Sequence, residues 1–187
     1  MGQPVLSSGR LRLEPMRPEH GAGVIEVFAD PATNRYFPVD LSEPEAARAS
    51  VAARLAYAGP PELGHWVFVL AAPGGAVPGG AVPGDVVGIG HLKPSVELPG
   101  GFVEMGWSIN PRYGGMGLAT EGVRALTRYA LDEVGLPAVW ALIHLANRPS
   151  LRLAERLGFH LVGTGVHYGE PHGVHVALRR HWTTDQP

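Results

Sequence analysis

The amino-acid sequence predicts one mixed α/β (α+β) domain, with a mostly antiparallel sheet that contains a single parallel strand–helix–strand crossover. Three observations carry this reading. Residues 65–71 and 86–92 are apolar runs with β-branched and aromatic content on either side of a Gly/Pro-rich stretch, the pattern of two buried strands joined as a hairpin. Residues 102–110 and 138–145 flank the clearest amphipathic helix of the chain, which implies a right-handed parallel crossover. The length of 187 residues suits one core, and no second core is visible, so residues 1–187 are read as one domain.

The elements follow in order. Residues 9–15 alternate apolar and charged side chains, a half-buried first strand closed by Pro15. Pro18 opens a helix whose apolar residues are Val24, Ile25, Val27 and Phe28 and which Asp30-Pro31 ends. A second helix is expected to start near Ser42-Glu43-Pro44-Glu45 and to run to about Ala58, before Gly59-Pro60-Pro61. Residues 73–85 contain Gly-Gly-Ala-Val-Pro twice in tandem and are expected to form a mobile hairpin loop. In the returning strand, Gly88 and Gly90 mark a bulge or a close backbone contact. In 102–110 the alternation puts Phe102, Glu104, Gly106 and Ser108 on one face and Val103, Met105, Trp107 and Ile109 on the other. The helix from Leu118 carries an apolar stripe to Val134 and stops at Gly135-Leu136-Pro137. A short helix over 149–157 ends at Gly158, and two antiparallel strands, 159–167 and 174–178, are expected to close the sheet through a turn at Glu170-Pro171-His172-Gly173. The polar tail after Trp182 is expected to fray.

Composition excludes several chemistries. Without cysteine there is no disulfide framework, thiol nucleophile or thiolate-bound metal. A formal net charge of −2 without a Lys/Arg run points away from nucleic acid and anionic membranes as partners. The amino terminus lacks a signal-peptide core, Leu6 stands where a myristoylation motif needs Ser or Thr, and no apolar run approaches the ~20 residues of a membrane span. A soluble cytoplasmic protein is expected. His167, His172 and His175 lie close in sequence, but they span a strand end and a turn, with no placed acidic ligand beyond Glu170, so no metal site is expected.

The chemistry concentrates at Arg112-Tyr113-Gly114-Gly115-Met116-Gly117-Leu118-Ala119-Thr120-Glu121, where a strand runs through glycines into a helix. Glycines let the backbone bend tightly and approach a ligand, and the helix start points unpaired N–H groups forward, so phosphate is the natural occupant. No Lys follows the glycines as a Walker loop requires, and Thr120 stands where a dinucleotide fingerprint needs its third glycine. Arg112-x-x-Gly115-x-Gly117 with Ala119-Thr120-Glu121, preceded by Glu104-Met105-Gly106-Trp107 and followed by Asn147-Arg148-Pro149-Ser150 and Leu157-Gly158-Phe159, resembles the GCN5-related N-acetyltransferases (GNAT), and within them the RimJ/RimL-like branch.

That resemblance implies a GNAT-like twisted sheet and transfer of an acetyl group from acetyl-CoA to a primary amine, a protein N-terminal α-amine or a small-molecule amine, by direct attack in a ternary complex. Backbone N–H groups of Tyr113, Gly114, Gly115, Met116, Gly117, Leu118, Ala119 and Thr120 would cradle the pyrophosphate, and Arg112 either adds a charge or is a plain surface arginine. Ser108, Ile109 and Asn110 would offer strand backbone to the pantetheine arm, with an N–H toward the thioester oxygen. Asn147 would bind that arm from the other wall, or simply cap a helix. Ser150 would lie near the CoA sulfur as donor to the departing thiolate, because Ala154 stands where other branches have a tyrosine acid.

Glu104, beside small residues, is the candidate base, its carboxyl open to an upward pKa shift by burial; the alternative is a strand glutamate paired with an arginine. His144 either faces the acceptor cleft or packs in the core. The early helices would line that cleft, and a homodimer is common among such proteins. A non-catalytic acyl-CoA sensor of the same fold, or a donor such as succinyl-CoA or a longer acyl-CoA, are the other readings.

Overall fold

A computed structural model describes residues 2–71 and 82–182. Most of the tandem Gly-Gly-Ala-Val-Pro loop expected at 73–85, and the tail expected to fray after 182, lie outside the described residues. The strands are β1 (Leu6–Ser8), β2 (Leu11–Pro15), β3 (Gly64–Leu70), β4 (Val86–Pro94), β5 (Val103–Ile109), β6 (Ala138–His144), β7 (His160–His167) and β8 (Glu170–Leu178). The helices are α1 (Gly21–Ala29), α2 (Pro31–Asn34), α3 (Pro44–Leu55), α4 (Leu118–Arg128), continued by a π turn over Tyr129–Glu133, and α5 (Arg148–Arg156). The eight strands form one sheet in the order β1-β2-β3-β4-β5-β6-β8-β7, antiparallel throughout except for the pair β5–β6. This is the mixed single sheet with one parallel crossover that the sequence predicts.

Several expected boundaries shift for identifiable reasons. The first strand is the second arm of a hairpin, because Leu6–Ser8 pairs back onto Leu11–Leu13 across Gly9-Arg10. Ser42 does not cap α3: its hydroxyl donates to Asp40 at 2.6 Å, Glu43 holds the cap position, and the helix ends at Leu55 instead of running on to Ala58. The closing hairpin turns at Tyr168-Gly169, not at 170–173, which belong to β8. Both turn residues have positive φ, 52° and 79°, the geometry of a tight two-residue hairpin.

Two apolar layers cover the sheet. On one face Val24 and Phe28 of α1 and Val51 of α3 pack on Val67, Val69 and Ile89. On the other, Val123, Leu126 and Ala130 of the α4 segment and Leu153 and Ala154 of α5 join Trp66, Phe68, Leu92 and Met105 in the larger core. The alternation read in 102–110 is the one observed, with Met105 in this core and Glu104 on the opposite face, opposite Lys93.

The close approach of α4 depends on glycine. Phe68 is fully buried, and a Cβ at Gly122 would come within 2.5 Å of its ring, while one at Gly90 would come within 2.9 Å. The close contact expected at Gly88 and Gly90 is therefore real, and a bulge accompanies it, since Phe68 pairs with Gly88 but Val69 with Val86. The β1–β2 turn is tied to the same helix. Glu121 accepts from Arg10 N–H at 2.5 Å, from Arg10 Nε at 3.0 Å and from the Ser8 hydroxyl at 3.2 Å. Replacing Gly122 by Ala favours the helix locally but drives a methyl group into the Phe68 ring. Denaturant unfolding of Gly122→Ala should show a loss of about 1–3 kcal/mol. Part of that loss should return in Gly122→Ala/Phe68→Leu, because the two sites share one contact.

Candidate functional site

Strands β5 and β6 pair at Glu104 opposite Trp140, whereas the β4–β5 ladder runs on to Gly88 opposite Ile109. The carboxyl half of β5 therefore parts from β6. The N–H of Asn110 turns to Val87 O at 2.9 Å, so the alternation of an antiparallel ladder directs the N–H groups of Trp107 and Ile109 toward the gap. A cavity of about 850 Å³ opens over this gap, on the face that α1 and α3 leave partly uncovered.

The glycine loop forms the cavity's end beyond β5. Gly115 and Gly117 have φ of 75° and 77°, a region in which a side chain is strained. Gly117 caps α4 and has no side chain to bond the first N–H groups of the helix. A Cβ at Gly115 would meet nothing within 4 Å, and this part of the loop faces open space. Tyr113 anchors the loop from below: its side chain is buried and its hydroxyl donates to Asp85 at 3.0 Å. Burial first, and then that bond to Asp85, hold its phenol above the usual range. These backbone donors, with no carboxylate among them, suit a phosphate-bearing ligand such as a coenzyme A thioester.

The structure gathers most of the sequence-predicted residues around one cavity. Glu104, Ser108, Ile109, Tyr113, Gly114, Gly115, Gly117, Leu118, Ala119, Asn147 and Ser150 all line the cavity. Asn110, Arg112, Met116 and Thr120 do not. The Asn110 side chain instead caps the turn after β5 by accepting from Arg112 N–H at 3.0 Å, and the Arg112 guanidinium lies 5.5 Å from the Tyr113 ring centroid. Met116 packs on the larger core, and the Thr120 hydroxyl accepts from Arg156 at 3.3 Å. Asn147 caps α5, its side chain accepting from Ser150 N–H at 3.2 Å, which leaves its amide NH2 available on the cavity side. Ala154 is fully buried in the larger core and does not line the cavity.

Glu104 is 4% exposed, yet no arginine pairs with it among the described residues. Its carboxylate accepts from the Ser95 hydroxyl at 2.5 Å and from the Tyr168 hydroxyl at 3.0 Å to each oxygen. The room expected over Gly106 is filled by the His91 ring, which a Cβ there would strike at 2.4 Å. The Tyr168 phenol is held well above its usual range by burial and by the adjacent Glu104 charge, and so stays protonated. His144 faces the cavity: its ring lies tilted by 33° against Tyr36, with centroids 5.0 Å apart, and its Nδ1 accepts from Ala146 N–H at 3.0 Å. The Tyr36 hydroxyl donates to Ala146 O at 3.1 Å and closes the roof.

Sequence reasoning missed Tyr168, Ser95, Tyr36 and a basic group formed by Arg54, His65, His91 and Lys93. Tyr168 was not legible, since a tyrosine at positive φ is not among the residues that signal a two-residue hairpin. Among the described residues no group of three or more His, Asp or Glu side chains is placed to hold a metal ion, and no helix is long and apolar enough to cross a membrane.

An open sheet with one splayed parallel pair, a glycine loop leading into a helix with no side-chain cap, and a buried carboxylate thus meet at one cavity. The chain belongs to the GNAT acetyltransferase family, whose domain model matches residues 10–160. It is 30% identical over 145 residues to the FsC-acetyl coenzyme A-N(2)-transacetylase of Aspergillus fumigatus, a match over 73% of this chain and 57% of that protein. The N-acetyltransferase YnaD of Bacillus subtilis is 33% identical over 60 residues, 32% of this chain and 35% of that one. The chain thus spans between about a third and six-tenths of these relatives' lengths. Among solved structures, a GNAT-family acetyltransferase from Bordetella pertussis matches with TM-score 0.69 at 27% identity, over 93% of this chain and 99% of that one. One from Bacillus anthracis shares the fold, with TM-score 0.74 at 21% identity over 95% and 99%.

The two buried histidines on this wall give the stability a pH signature. Burial, then the Arg54 and Lys93 charges, push His65 down to about 3, and burial holds His91 well below its usual value. Between an unfolded pKa near ~6.5 and the folded value, the unfolded chain binds the extra proton, so stability falls as pH drops through that window. The slope is up to about 1.4 kcal/mol per pH unit for each histidine. Urea midpoints measured from pH 7 to 4 should fall less steeply in His65→Gln than in the wild type.

Proposed function

We propose that this protein is an acetyl-CoA-dependent N-acyltransferase of the RimJ/RimL-like kind, which passes an acetyl group to a primary amine by direct attack in a ternary complex. One observation carries the reading: a buried, hydroxyl-bonded carboxylate, Glu104, shares a cavity with the uncapped start of α4, and the unpaired edge of β5 runs between them. The fungal relative's name, which couples acetyl coenzyme A with transfer to a nitrogen, supports it.

Each residue then has a task. The N–H groups of Gly115 to Ala119 hold the diphosphate at the positive end of α4. The N–H of Ile109 or Trp107 faces the gap and steadies negative charge on the thioester oxygen, as an oxyanion donor does. Glu104 accepts the proton of the attacking amine, directly or through one water, while Ser95 and Tyr168 keep its carboxylate in one orientation. Ser150, in the first turn of α5, donates to the leaving thiolate, whose conjugate acid has a pKa near ~8.5 and which needs only a hydrogen bond. A modest base suits a peptide or amino-acid α-amine, with pKa about 7.7–8.0, better than a lysine near ~10.4.

Calorimetric titration with acetyl-CoA should show saturable binding that weakens about tenfold or more in Gly117→Val, where a side chain is forced to positive φ. Glu104→Gln should keep that affinity and lose about 10²–10⁴ in kcat with an accepted amine. Binding without CoA release for any amine would make the domain a sensor of acyl-CoA. No binding by folded protein would overturn the reading.

A further inference from the structure

Arg54 is a cation on the cavity wall with no carboxylate partner among the described residues. It projects from the last turn of α3, its guanidinium carbon 4.8 Å from the Phe28 ring centroid. Its Nη1 donates to the Ser50 carbonyl at 2.9 Å and to the Ser50 hydroxyl. Among the described residues these are its only hydrogen bonds, so the Nε–Nη2 edge is unused, and no acidic side chain forms an ion pair with it. Burial alone lowers its pKa to about 10, which leaves it charged at neutral pH.

Lys93 stands on the same wall and likewise makes no ion pair among the described residues, although it lies directly opposite Glu104 in the β4–β5 register. Glu104 spends its oxygens on Ser95 and Tyr168 instead. His65 and His91 line the same cavity within reach of both charges, and burial holds them neutral. Buried charges in folded proteins are ordinarily paired. This wall therefore holds two partly buried cations with no ion-pair partner among the described residues, and Lys93 lies one strand from the candidate base.

Resting on the acyltransferase reading above, we propose that the acceptor is an amine that also carries a carboxylate, an amino acid or the free C-terminus of a short peptide, whose carboxylate docks on Arg54 beside Lys93 and so presents its amine to Glu104. A guanidinium held by Ser50 and Phe28 is pre-oriented, and its free edge matches the two oxygens of a carboxylate. A zwitterion fits both poles of the cavity, with its ammonium on Glu104 and its carboxylate on Arg54. The cations sit on α3 and β4, across β5 from the β5–β6 gap that takes the donor arm, which assigns the negative charge to the acceptor and not to a donor such as succinyl-CoA.

The test measures CoA release from acetyl-CoA with the common L-amino acids and a set of dipeptides, each beside its C-terminal amide. The expected result is that kcat/KM of the accepted acids exceeds that of their amides about tenfold or more, and that Arg54→Met brings this ratio close to one while Arg54→Lys keeps part of it. Acetyl-CoA affinity measured on each variant establishes that it is folded. Equal use of acids and amides by the wild type, or an Arg54→Met variant that lowers both alike, would overturn the proposal. So would a preference for succinyl-CoA over acetyl-CoA that disappears in Arg54→Met, because the carboxylate would then belong to the donor. CoA release from no compound, with acetyl-CoA still bound, would instead overturn the transferase reading on which this acceptor class rests.

Discussion

Strands β5 and β6 are held at Glu104 opposite Trp140 and then part, and most of what the site contains follows from that geometry. The closed end is clamped by Phe102 stacked on Trp140, with centroids 4.8 Å apart and planes within 9°. At the open end β5 keeps β4 as its neighbour on one side while its other edge faces the cavity. Unpaired strand edges inside a domain are unfavourable unless something satisfies them. A site at the carboxyl ends of parallel strands is where open α/β sheets bind ligands, and here the splay supplies both the room and the hydrogen-bonding edge.

The local pattern made the elements legible, whereas the convergence of distant residues was not. Alternation in 102–110 placed Glu104 opposite Met105 correctly, and Gly135 with Pro137 marked the end of the α4 segment, although not its final π turn. The closing hairpin was misplaced because Pro171 and Gly173 are strong turn formers. Both are instead tolerated inside β8, where Pro171 stands near the strand start and its carbonyl accepts from Leu145 N–H at 3.0 Å. The actual turn needs a tyrosine at positive φ, which residue preferences disfavour. That displacement hid Tyr168, and with it the second donor to Glu104. Arg54, His65 and Lys93 were hidden for another reason. They belong to a helix and two strands, and each alone is an ordinary polar residue; only the packing of α3 on β3 and β4 brings them together.

The wall around Glu104 also shows how one cavity holds opposite charges without collapsing them into a pair. Lys93 and Glu104 face each other across the ladder, yet two hydroxyls occupy the carboxylate, and the two histidines beside the cations stay neutral. A direct ion pair here would satisfy both partners and leave neither for a ligand. Keeping His65 and His91 uncharged through burial limits the positive charge on this wall to Arg54 and Lys93.

The bond between the β1–β2 turn and Glu121 bears on the far end of the cavity. An acidic side chain in the first turn of a helix ordinarily offsets the partial positive charge of the helix start. Glu121 is turned away from that task by Arg10, which holds it through both the main chain and the guanidinium. The amino end of α4 thus keeps its positive field where Gly117 opens onto the cavity, and the β1–β2 turn, whose Arg10 guanidinium lies beside Gly117, contributes to the electrostatics of the anion cradle.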